Sequence, residues 1–140
     1  MLGRTTDKAR ASNAETLSDY DYGCPLDRAV LTFLGITPED YADAVASLST
    51  DEAVADWVRR CYLAHKSKAE IDQWNRDFVL AGPRGLPEGH AFRAMMLEDR
   101  FVEYRNSVAP HRPDVWSFAD VLDLDEQRQV PERSIQPKDA

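Results

Sequence analysis

Helix-start signals followed by apolar residues three and four positions apart recur along almost the whole chain, and nothing else restricts its fold so strongly. Thr6 to Ala14 predicts a first helix, with Asp7 in the first turn, where a negative charge meets free backbone N–H groups. Pro25 suits the first position of a second helix, because the N–H it lacks has no partner there. Leu26, Val30, Phe33 and Leu34 follow at helical spacing, and Gly35 closes the segment in a left-handed cap with Ile36 packing back. Thr37 caps a third helix with Pro38 next and the stripe Tyr41, Ala44, Val45 and Leu48 behind it. Ser49 and Glu52 have capping-box spacing ahead of an inward stripe of Val54, Trp57, Val58, Cys61 and His65. Ser67 and Glu70 repeat the box ahead of Ile71, Trp74 and Phe78, and Gly82 is the expected stop. A long helix is expected from Glu88 to Val108, broken by Pro110 and Pro113, and a short one from Ser117 to near Leu124.

No stretch alternates long enough to predict a strand, so the expected fold is all-α. It is read as one compact domain of about six or seven short helices over residues 1–126, with residues 127–140 a polar, disordered tail. A chain of 140 residues can bury one hydrophobic core. Its longest apolar runs fall far short of the ~20 residues that cross a bilayer. Met1-Leu2-Gly3-Arg4 leads straight into polar, helix-forming sequence without a basic-then-apolar leader, so a cytoplasmic protein is expected. Two cysteines, Cys24 and Cys61, are too few for a disulfide framework and are expected as free thiols. Twenty-five acidic against 17 basic residues give a formal charge of −8. That balance argues against general attraction to nucleic acid or an anionic membrane, whose phosphates reward a basic surface.

Three places carry candidate chemistry. In Tyr20-Asp21-Tyr22-Gly23-Cys24-Pro25-Leu26-Asp27, an extended stretch points both tyrosines the same way, toward a helix start at Cys24. Free N–H groups there attract anions and favour a thiolate, but Asp27 competes for the same groups and no histidine is near. A structural role, with Cys24 as a cap and the tyrosines packed, is therefore favoured over nucleophilic catalysis, and a plain ligand pocket lies between the two. Cys61 and His65, one helical turn apart, can reach one metal ion together. Zinc wants about four ligands, however, and Cys24, His90 and His111 show no paired spacing, so no metal is expected. Glu98 and Arg105 fall in a seam between apolar rows, about 10 Å apart along the axis, so each must meet a charge on another helix, water or a ligand. Asn75, beside Ile71 and Phe78, is a related polar intrusion that usually completes internal hydrogen bonds. Arg59, Arg60, Lys66 and Lys68 make a local basic neighbourhood, weakly suggestive of an anionic partner. Asp120, Asp123, Asp125 and Glu126 lack the glycine and distant glutamate of a calcium loop.

Several segments taken together resemble a known family. Gly3-Arg4 with Asp7-Lys8-Ala9-Arg10-Ala11, the Tyr20–Asp27 segment, and Phe33-Leu34-Gly35-Ile36 carry the likeness. It continues through Trp57-Val58, Ser67, Ile71, Trp74-Asn75, Trp116-Ser117-Phe118 and Leu122-Asp123-Leu124-Asp125. In order and spacing these resemble the bacterial family called domain of unknown function 5069. The resemblance implies a small stand-alone domain; it carries over no activity, cofactor or catalytic residue. It sets Arg4, Lys8, Arg10, Tyr20, Tyr22, Asp27 and Asn75 in matching segments, and their chemistry suits a small polar or anionic ligand. A small-molecule binding protein or small metabolic enzyme is the first functional expectation, without cofactor. A protein-interaction or accessory module is its rival, with a protein partner or homo-oligomer left open.

Overall fold

The computed structural model describes residues 1–79 and 98–132. Among these residues the secondary structure is helical throughout, without a strand, in seven α-helices: α1 (Leu2–Asn13), α2 (Pro25–Leu34), α3 (Pro38–Ala46), α4 (Asp51–Cys61), α5 (Lys68–Val79), α6 (Glu98–Val108) and α7 (Phe118–Asp125). A single 3₁₀ turn, Leu63–His65, follows α4. The Gly82 stop, the Gly82–Pro87 connection, the expected helix ahead of Glu98 and the end of the tail lie outside the described residues. No helix of the described residues is long and apolar enough to cross a membrane. The chain divides into two compact units, Met1–Lys68 and Ala69–Ala140.

In the first unit α1 lies against α3, with smaller contacts to α2 and α4, and α2 also meets α3. Leu26, Val30, Leu31 and Leu34 of α2, Tyr41 and Val45 of α3, and Val54 and Val58 of α4 form the buried apolar interior. Side-chain caps begin α3 and α4. Thr37 Oγ1 accepts the Asp40 N–H at 3.1 Å, with Pro38 at the first helical position as expected. Gly35 ends α2 at φ +82°, a backbone that side chains rarely adopt, and the Ile36 N–H returns to the Leu31 carbonyl at 3.0 Å.

Three expectations are corrected here. First, α1 starts at Leu2, ahead of Thr6, so Asp7 is mid-helix and the first turn holds no acid. The Thr6 hydroxyl donates back to the Leu2 carbonyl at 2.9 Å, within the helix it was expected to begin. Second, Thr50 rather than Ser49 caps α4, accepting the Ala53 N–H at 3.1 Å. Third, Cys61 and His65 are exposed and Trp57 is half-buried. The stripe holds through Val58 and then fails, because α4 ends at Cys61 and tightens into three residues per turn. Tyr62 takes the inward place, its ring 5.2 Å from that of Trp57, which in turn lies 5.8 Å from Tyr41.

The second unit packs α6 against α7. Phe101, Val115 and Val121 form a buried apolar cluster there, with Trp116, Phe118 and Leu124 packed around them. Ser117 caps α7 as expected, accepting the Asp120 N–H at 3.2 Å. Trp74 is half-buried against Phe78, with ring centroids 5.1 Å apart. Arg112 pairs with Asp114 at 2.8 Å and donates to the Val130 and Pro131 carbonyls at 3.0 Å each, pinning the start of the polar C-terminal segment.

Candidate functional site

The sequence from Tyr20 to Asp27 folds into a loop that ends in the first turn of α2. Gly23 sits at φ +80°, where a side chain would be strained, and Cys24 is the residue preceding the helix. Asp27 follows in that first turn and is fully buried. A buried carboxylate is tolerable only when its oxygens are satisfied. Here Oδ1 accepts from the Thr5 hydroxyl at 2.8 Å, while Oδ2 accepts from the Gly23 N–H at 3.1 Å and faces Lys8 Nζ at 2.5 Å. Asp27 sits in the first turn of α2, but its carboxylate accepts the Gly23 N–H ahead of the helix rather than the free helix-start groups that its spacing from Cys24 suggests.

Lys8 is the hub of the arrangement. Its ammonium, only 12% exposed at the side chain, also donates to the Asp21 carbonyl at 2.8 Å and meets Cys24 Sγ at 3.2 Å. Burial alone would lower the pKa of Lys8; hydrogen bonds to Asp27 and Cys24 outweigh that and hold it above the ordinary lysine value. Arg28 Nε donates to the Gly23 carbonyl at 2.6 Å. Two cations thus grip the backbone of a four-residue segment, Asp21 to Cys24, with a half-buried thiol at its edge.

A second polar layer lies beside this one. Thr6 has one hydroxyl proton and gives it to Leu2, so Tyr41 is the donor in the 2.7 Å contact between their hydroxyls. Tyr22 donates to the Pro38 carbonyl at 2.6 Å, tying the loop to the start of α3. Replacing Tyr22 by Phe removes this hydrogen bond and is expected to cost about 1 kcal/mol, read from denaturant unfolding. Burial pushes both phenols above their ordinary pKa, and Asp27 adds to the effect on each.

Lys8, Tyr22 and Tyr41 therefore share one sign. Each group's raised pKa contributes stability that is whole below its ordinary value and is lost as pH rises through the raised one. Unfolding midpoints should stay level near neutrality and fall above about pH 10. The fall should be shallower in Tyr41→Phe, which removes one of the titrating groups. A profile that stays flat to about pH 11 would show these groups to be solvated.

The remaining sequence candidates separate. Arg4 is half-buried on α1, one turn before Lys8 and on the same face. Arg10 turns away from the loop to Asp51 and the Leu48 carbonyl. Tyr20 is 59% exposed, whereas Tyr22 is half-buried. A turn at Tyr22-Gly23 interrupts the extended run on which the alternation relies. In the second unit, Asn75 is exposed on α5. Arg105 on α6 is 8% exposed, stacks 4.6 Å over the Trp116 ring and donates to the Val115 carbonyl at 3.3 Å. The Glu98 side chain lies outside the described residues. In the basic neighbourhood, Arg59 pairs with Asp56 and Lys66 sits 4.5 Å over the Phe33 ring.

Thr5, Tyr41 and Arg28 belong to the site and were missed. Thr5 lies three residues before Lys8 on one helix face, and Arg28 lies one turn after Cys24, so spacing held both signals. The apolar stripe places Tyr41 in the core, where its ring lies; spacing carries no sign of its hydroxyl's partner.

A family model described as a domain of unknown function (DUF5069) matches residues 1–128. No curated protein matches the chain.

Proposed function

The chain belongs to the family described as a domain of unknown function (DUF5069), and from that premise we propose that it binds a small polar or anionic molecule at the Asp21–Cys24 loop. The observation that carries this reading is the grip of Lys8 and Arg28 on that loop. Asp27, buried beneath, holds the Lys8 ammonium in place. A carboxylate, phosphate or polarised carbonyl can take over the outer hydrogen bonds of either cation while Asp27 keeps its own. Tyr20, exposed and next to Asp21 in the chain, offers an aromatic side chain at the start of the loop, and Arg4 adds positive charge one turn from Lys8. A bacterial, cytoplasmic setting belongs to the same reading and suits its free thiols.

A thermal-shift screen of small carboxylates, phosphates and sugars tests it. Ligand at about 100 times its Kd should stabilise the first unit by about 2.7 kcal/mol. Tyr20→Ala should weaken that response without changing the melting temperature of the free protein. A screen without any stabilising compound, or a hit indifferent to Tyr20→Ala, Tyr22→Phe and Arg28→Gln alike, would count against the loop as the site. The exposed Tyr20 ring favours one other reading, a protein-interaction surface. In that case Tyr20→Ala disrupts a complex and no small molecule responds.

A further inference from the structure

We infer that Lys8 and Cys24 can be joined by oxidation into a reversible covalent link, Nζ–O–Sγ, which locks the loop to α1. The two atoms lie 3.2 Å apart, on an ammonium otherwise held by Asp27 and the Asp21 carbonyl. Neither end is free to wander: Cys24 is fixed as the residue opening α2, and Lys8 is anchored by a carboxylate that is fully buried. Cys24 is nonetheless half-buried rather than sealed, so a small oxidant can reach its sulfur. A direct S–N bond would drag Nζ away from Asp27. An intervening oxygen leaves nitrogen and sulfur closer to the separation they already have.

The chemistry needs peroxide as oxidant and balances in two steps. Peroxide first transfers one oxygen to the Cys24 thiol, giving a sulfenic acid and water. Lys8 then gives its ammonium proton to solvent, and its neutral nitrogen bonds to the sulfenic oxygen. That step breaks one N–H and one O–H bond, and a second peroxide takes up the two electrons and two hydrogens as two waters. Sulfur and nitrogen are oxidised and peroxide is reduced. The protein gains one oxygen and loses two hydrogens overall. A thiol reductant reverses the link, returning thiol and amine. Cross-linking needs no bound ligand; only its consequence, closure of the loop against ligand, rests on the proposed function.

The test is intact-protein and peptide mass spectrometry after peroxide treatment. It uses a Cys61→Ser background, because exposed Cys61 would oxidise independently. The expected product carries the mass change above, yields a peptide joining residue 8 to residue 24, and disappears on reduction. Lys8→Arg, which keeps the cation, and Cys24→Ser should both abolish the joined peptide. A Cys24 that ends as sulfinic acid with Lys8 unmodified would overturn the inference, as would a joined peptide lacking the added oxygen. The measurement in the Cys61→Ser protein decides the matter even if the other variants fold poorly.

Discussion

Replacing Asp27 by Ala is expected to lower stability by about 3–5 kcal/mol, the range for removing one partner of a buried ion pair. The carboxylate is fully buried and serves Thr5, Gly23 and Lys8 at once. Its loss strands the Lys8 ammonium in a place chosen for the pair. The Thr5 hydroxyl and the Gly23 N–H lose their acceptor together. If the cost arises from the stranded charge, Lys8→Met added to Asp27→Ala should recover a large part of it, because apolar replacement of both partners is often near neutral. Urea unfolding of the single and double variants at neutral pH gives both numbers. A loss below about 1 kcal/mol would mean that water already serves the carboxylate, as at a surface ion pair.

Phe101→Ala is expected to cost the second unit a similar amount, about 3–5 kcal/mol, for a different reason. The ring is fully buried. It stacks 5.6 Å from Trp116 and meets Phe118 edge-on at 4.9 Å, with Val115 and Val121 beside it. Truncation removes the apolar contacts and leaves a cavity that rigid aromatic neighbours cannot close. Trp116 fluorescence should change with the stability, since its stacking partner is gone. Phe101→Leu, which keeps most of the volume, should cost much less. Equal losses from both would point to strain rather than a cavity.

The helices were legible because the signals that define them are local. Thr37, Ser117 and Gly35 cap or close where spacing put them, since a cap depends on residues within one turn. Where the expectation failed, the cause was a partner or a change of geometry that spacing does not carry. The α4 stripe ran past Val58 only if the helix kept its pitch; the 3₁₀ turn at Leu63–His65 ended that. The convergence of Lys8 on the Tyr20–Asp27 loop was legible as chemistry; that Asp27 accepts the Gly23 N–H ahead of the helix was not. Arg10 is grouped with the loop as a cation of the first helix and Tyr20 by the alternation of an extended stretch; the fold turns Arg10 to Asp51 and leaves Tyr20 exposed. Which face of α1 each cation leaves from depends on α2, α3 and α4, and those contacts are long-range.

The central claim is that the loop between Lys8 and Arg28 receives a small polar or anionic ligand, and side-chain and amide NMR tests it most directly. Labelled protein would be titrated with inorganic phosphate, sugar phosphates, citrate and smaller carboxylates. The account predicts a saturable response to at least one probe, largest at the Lys8 and Arg28 side chains and the amides of Asp21 to Asp27, and diminished in Arg28→Gln. Saturable shifts centred elsewhere, or no response from those signals across the whole series, would contradict it.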